Sequence, residues 1–364
     1  MSAPALHRPR PPWARGARRR TATLAVLGAA LAVLLVLSLG TPEFPVSPGA
    51  ALDVALGHGD PSTTLFLEEL RLPRVVAGVL VGLALGVAGA LFQSLTRNPL
   101  GSPDMIGFTA GSAAGAVGQI LLFGGGGTAT ALAALVGGLL TGIVIYALAV
   151  RGGLDGFRLI LIGIALSAML MAVCDYLVAR ADLDEARGAQ VWLTGSLNGR
   201  EWEQVVPLAI GVLALLPLLA LLGRDLRTAE LGDDVARGLG VPLTRSRTLA
   251  LAIGVALTAM ATAAAGPVIF VALAAPQIAR RLTGATGPGL AAAGLTGAVL
   301  LSGSDRIAER ALPSGPVPVG VVTGVAGGVF LVWLLAIGRR RAPRAGRASR
   351  RRVRLLPRRR DMAS

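Results

Sequence analysis

The chain has 364 residues, 53% of them hydrophobic and only 15% charged. Repeated apolar stretches of about 20 residues mark it as a polytopic membrane protein. The net charge of +15 is concentrated at the ends: residues 1–22 hold 6 Arg and residues 339–364 hold 12. That is a positive-inside signature rather than a nucleic-acid surface. All 35 basic residues are Arg, which excludes a Walker A loop, a Schiff-base lysine and a lysine general base. The lone Cys174 excludes an internal disulfide and reads as an inert core thiol.

In chain order, a basic cytosolic tail (1–22) precedes a first span at 23–40. No small-x-small cleavage site follows that span, so it reads as a membrane helix with its N-terminus inside. Residues 41–70 form an acidic external segment with Glu43, Asp53, Asp60, Glu68 and Glu69. "RLPR" (71–74) then opens the second span; Arg71 and Arg74 share one helix face and Pro73 suits a first turn. Further spans fall near 72–93, 105–123, 128–150, 158–179, 204–223, 248–266, 268–283, 288–304 and 317–338.

The resulting organisation is an all-α transmembrane domain over 23–338, about ten spans, with basic cytosolic tails at 1–22 and 339–364. Both termini face the cytoplasm. Gly and Pro interrupt the apolar runs across 266–304, as in helices that line an enclosed pathway. Gly78, Gly82 and Gly86 repeat every fourth residue, and Gly111/Gly115 and Gly138/Gly142 repeat that spacing; such stripes admit close helix packing.

Few candidates for chemistry remain. "FGGGGT" (123–128) lacks the Lys and Ser/Thr of a phosphate loop and reads as an external turn. His7 and His58 fit no metal-ligand spacing. Asp175, the main ionisable residue within a span, lies five residues before Arg180 near the outer end, which favours an interfacial or ion-paired role. An intramembrane enzyme needs polar groups gathered at one depth, and ion-coupled transport needs more titratable groups than the spans offer. The internal loop 224–247 is densely charged and broken by Gly232, Gly238 and Gly240, and it reads as a docking surface for a soluble partner.

Several separated motifs occur in an order that resembles one family. They are "RLPR" (71–74), "GALFQSLTRNPLGSPDMIG" (89–107), "LIGIALS" (161–167), "VWLTGSLNGREW" (191–202), "LGDDVARGLGV" (231–241), "GPVIFVALAAPQIARRLTG" (266–284) and "PVGVVTGVAGGVF" (318–330). The chain is similar to the permease subunits of type II ABC importers for iron–siderophores and vitamin B12, from about Arg71 to Leu335. Its wording at 272–284 is nearest the ferric-catecholate permeases.

The resemblance implies ten spans with inverted repeats, no catalytic residue, no cofactor and no metal. It implies as partners a cytosolic ABC ATPase dimer, a second permease subunit, homologous or identical, and an extracytoplasmic siderophore-binding protein, besides membrane lipid and without nucleic acid. It also implies a multi-pass place in the cytoplasmic membrane. Carried onto this chain, the ATPase-coupling role falls on Leu231, Gly232, Ala236, Leu239 and Gly240. The cytoplasmic gate falls on Asp155, Gly156 and Phe157, and binding-protein docking on Arg71, Arg74, Arg306 and Arg310. The chain departs from the family at Gln277, where His is usual after Pro276, at Pro316, where Glu is usual, and at Glu309, where Arg is usual. Asp305 and Glu309 are then candidates to neutralise Arg306 and Arg310. The substrate expected is an iron(III)–siderophore, with cobalamin, heme or ion-coupled secondary transport as alternatives.

Overall fold

A computed structural model describes residues 12–41, 44–150, 155–284, 287, 289–312 and 315–341. The expected tails therefore fall largely outside the described residues. The first helix is α1 (Pro12–Ser38), followed by α2 (Pro48–Ala55), α3 (Pro61–Leu65), α4 (Leu72–Thr96), α5 (Pro103–Ile106) and α6 (Phe108–Phe123). Next come α7 (Gly127–Ala149), α8 (Gly156–Arg180), α9 (Leu183–Leu193), α10 (Trp202–Ala229) and α11 (Asp233–Gly238). The chain closes with α12 (Leu243–Ala265), α13 (Val271–Thr283), α14 (Leu290–Arg310) and α15 (Val319–Arg341). Two units are distinguished, residues 1–327 and 328–364, and the packing below is that of the first.

Ten of these helices sit on the ten predicted spans. Among the described residues, six helical runs are long and apolar enough to cross a membrane: 16–38, 61–96, 127–149, 156–180, 202–229 and 243–265. Among the others, α13 has 13 residues and reaches only about 20 Å, short of the ~30 Å hydrocarbon core. Pro276 interrupts its hydrogen bonding. The carbonyl it leaves without a donor, that of Ala272, rests against Gly89, where any Cβ would collide.

Helices α4 and α12 form the centre, with 78% and 72% of their apolar windows buried, against 17% for α8. The glycine stripes explain the closeness. Gly82 and Gly86 on α4 lie against Gly297 and Ala293 on α14, and Gly111 and Gly115 on α6 lie against Thr141 and Ala133 on α7. Backbones at contact distance replace side-chain interdigitation, which suits a bundle with few aromatics.

Two boundaries differ from expectation. Helix α1 starts at Pro12, not at residue 23, and its basic turn is used: Arg19 donates to the carbonyls of Arg281 (2.7 Å) and Leu282 (2.8 Å) at the end of α13. A cation there satisfies carbonyls that the helix leaves without donors. The second difference is at Pro73, which is not in the first turn of a free helix, because α3 and a π-helical segment (Phe66–Arg71) run continuously into α4. The amide of Leu72 reaches back to the Leu67 carbonyl. The next donor in that register is Pro73, which has no N–H, so the Glu68 carbonyl is taken by Trp202 Nε1 at 2.9 Å.

Candidate functional site

The functional residues divide between the two ends of α4. At its start, Arg71 and Arg74 come off the π-segment and first turn and meet the last turns of α14. Arg71 pairs with both Glu309 oxygens, the Nη2–Oε2 contact being 3.1 Å, and its Nε donates to the Ser38 carbonyl at 2.8 Å. Arg74 holds Asp305 in a two-pronged pair at 2.9 and 3.0 Å. Arg306 donates to Glu309 at 2.8 Å and to the Gly40 carbonyl at 2.9 Å. Three arginines thus surround two carboxylates and tie the ends of α1, α4 and α14 together. The side chains of Arg71 and Glu309 are only 5% and 7% exposed.

Arg71, Arg74 and Arg306, which the resemblance assigns to docking, thus lie in an ion-pair network within the chain. Of the four arginines assigned to docking, Arg310 alone is exposed. Glu68 and Glu69, the acids nearest in sequence, are exposed. Asp305 and Glu309 do neutralise arginines, as expected for Arg306 but extended to Arg71 and Arg74. The matching was legible in principle, since Arg71/Arg74 at i,i+3 face Asp305/Glu309 at i,i+4.

At the other end of α4, Arg97 adopts the left-handed conformation (φ +49°), turning the chain so that its guanidinium pairs with Asp233. Asp233 opens α11 and is also gripped by Arg247 of α12 at 2.7 and 3.0 Å. The Arg247 hydrogen bonds, helped by its charge and by Arg97, hold the Asp233 carboxyl below its ordinary value of 3.8, against a smaller opposing effect of burial. One carboxylate thereby joins α4, α11 and α12.

Helix α11 lies between Gly232 (φ +112°) and Gly240 (φ +79°), conformations that glycine adopts without a Cβ clash. Of the expected coupling residues, Leu231 and Leu239 are 67% and 65% exposed, while Ala236 is fully buried and anchors the helix from inside. Val235, which sequence reasoning did not single out, is exposed between the two leucines at a spacing of four. All three are exposed apolar side chains on an otherwise charged segment.

The expected gate adjoins this clamp. Asp155 caps α8 by accepting from the Phe157 amide at 3.0 Å, and Phe157 is 73% exposed. Gly156 abuts the α4 terminus so closely that a Cβ would sit 2.7 Å from Thr96 Cα. Leu95, Asp155, Gly156 and Arg247 line one narrow crevice. The residue that grips the α11 carboxylate therefore also borders the gate turn.

Deeper in the bundle, Gln277 Nε2 donates to the Pro99 carbonyl at 2.6 Å and to Gln93 Oε1 at 3.3 Å, and Gln93 donates to the Leu273 carbonyl at 3.1 Å. An amide at 277 thus serves the irregular backbone at 97–102, where the second hydrogen-bonding nitrogen of a His would lack Gln's paired donors. Asp175 is exposed on α8 and, among the described residues, forms no ion pair; Arg180 lies over the Tyr176 ring at 5.3 Å. Cys174 is buried.

Comparison with known proteins places this arrangement. The FecCD transport family profile matches residues 30–336. The ferric enterobactin transport system permease protein FepG of Escherichia coli K12 is 44% identical over 318 residues, covering 87% of this chain and 96% of that protein. The Fe(3+)-citrate import system permease protein YfmE of Bacillus subtilis is 35% identical over 323 residues, covering 88% and 96%. A solved structure described as an inward-facing conformation of a metal-chelate type ABC transporter superposes with a TM-score of 0.75 at 27% identity, covering 87% of this chain and 99% of that one.

Proposed function

This chain belongs to the FecCD transport family, and on that premise we propose that it passes a ferric siderophore inward while partner subunits hydrolyse ATP. It is a multi-pass permease of an ABC importer for iron–siderophore or ferric citrate complexes, and a non-catalytic component of it. Such a permease works with an ATPase and a binding protein. Among substrates, a catecholate complex is favoured by the 44% identity to a ferric enterobactin permease over the 35% to a ferric citrate one.

The observation that carries the mechanism is the Asp233 clamp. Exposed apolar side chains on a charged segment call for a protein partner, and Leu231, Val235 and Leu239 offer that contact to an ATPase dimer. A push on α11 reaches Arg97 and Arg247 through one carboxylate, and Arg247 borders Gly156 of the gate. The Asp233 end, with both chain termini, then faces the cytosol, and Asp155, Gly156 and Phe157 form the gate there. The poorly buried α8 packs against the second permease subunit. The siderophore-binding protein docks at the opposite corner, where Arg310 offers exposed charge while Arg71, Arg74 and Arg306 set its shape.

The test is uptake of radiolabelled ferric catecholate, hydroxamate, citrate, heme and cobalamin in a strain lacking its own permease, with the cognate ATPase and binding protein supplied. Uptake of the catecholate that depends on the ATPase is expected. Uptake that persists without any ATPase would overturn the reading.

A further inference from the structure

A cleft of about 970 Å³ takes no part in the clamp, the gate or the outer network. It lies between α1, α4, α10 and α14 and opens at the Asp233 end of the bundle. Its trunk is apolar, lined by Leu24, Leu83, Leu216, Leu219 and Leu290. Its mouth carries two exposed guanidinium groups, Arg20 of α1 and Arg227 of α10.

The placement of these arginines has identifiable causes. Arg19 is committed to the end of α13, which fixes the α1 backbone and leaves the next residue, Arg20, at the cleft. Arg227 lies over Gly287, with Cγ 3.5 Å from where a Cβ would stand there. Among the described residues neither Arg20 nor Arg227 is in an ion pair, and the acid nearby, Glu230, has Arg280 as its charged neighbour. From Leu216 to Arg227 the helical rise is about 16 Å, half of a ~30 Å hydrocarbon core. Positive charge at the interface and an apolar trunk reaching mid-depth match the two parts of one amphiphile.

We propose that this cleft is a binding site for an anionic phospholipid, its phosphate held by Arg20 and Arg227 and an acyl chain lying along Leu216, Leu219 and Leu24. The charge selects an anionic head over a zwitterionic one, as in basic pockets between membrane helices. The bound lipid ties α1 to α10 across the cleft that both helices line.

Native mass spectrometry of the detergent-purified importer complex, exchanged into equal amounts of phosphatidylglycerol and phosphatidylcholine, tests the proposal. The expected result is one retained phosphatidylglycerol per permease chain, preferred about tenfold over phosphatidylcholine. Arg20→Gln/Arg227→Gln abolishes the preference, and Ala220→Trp, which fills the trunk and spares both arginines, abolishes retention. Photocrosslinking of the unaltered complex with a diazirine-bearing phosphatidylglycerol gives a measurement that needs no variant, and the label is expected on α1 and α10. Equal retention of both lipids, retention unchanged in both variants, or label confined to other helices would overturn the site. So would a crosslink between two permease chains through this cleft.

Discussion

Two clusters of arginine and carboxylate stand at opposite ends of α4, and they differ in exposure more than in chemistry. The Glu309 cluster is largely buried, its five side chains 5–14% exposed and two backbone carbonyls engaging its arginines. The Asp233 cluster is half open, with its side chain 27% exposed and Arg97 54% exposed. A buried pair cannot separate without stranding a charge in a poorly polar medium, whereas a wet pair can part and re-form. The same residue types therefore make a permanent fastening at one end and a hinge at the other.

The contrast can be broken most forcefully at its buried half. Glu309→Ala leaves Arg71 and Arg306 without their acid, and a loss of about 3–5 kcal/mol is expected, seen as a large fall in melting temperature in detergent. Asp233→Asn costs the fold only ~1 kcal/mol or less by the same melting assay, which separates the two clusters. Its cost falls on transport, with a several-fold drop in uptake per ATP hydrolysed. Between these in consequence, Leu231→Glu/Leu239→Glu should leave melting unchanged while removing the ATPase from the purified complex. At the outer corner, Arg310→Glu should weaken binding-protein affinity a few-fold at low salt, with the difference fading as salt rises.

Acidity gives the smallest effect at ordinary pH. Because the folded Asp233 carboxyl lies below its ordinary 3.8, its stabilisation is complete above that value and is lost as pH falls through the lower folded value. The protection of the α11 amides from hydrogen exchange, corrected for the intrinsic pH dependence of exchange, should therefore be flat from neutral pH down to about 5. Opening of α11 in that range would contradict the assignment.

The spans were legible because a bilayer demands long apolar runs, and the glycine stripes were legible because helical spacing repeats. The close approach of Gly82 to Gly297 follows from the same pattern. The charge partners were not legible, since Arg97 and Asp233 are 136 positions apart and nothing local selects one acid over its neighbour Asp234. Arg71 shows the other limit. Two arginines at a helix mouth carry no sign of their partners, which α14 supplies at the complementary spacing. Pro73 read as a helix start because the π-segment before it has no sequence period of its own.

The left-handed turn at Arg97 has a mechanical consequence. A side chain with a Cβ resists that backbone region by roughly 1–2 kcal/mol. The amide of Arg97 bonds to the Ser94 carbonyl and its guanidinium to Asp233, so turn and ion pair are made together and the clamp closes over a small wound spring. When α11 is drawn away, the backbone can relax as the pair parts, which lowers the net work of opening. A junction loaded in this way yields to a modest pull and resets once the pull ends, as the coupling role proposed for it requires.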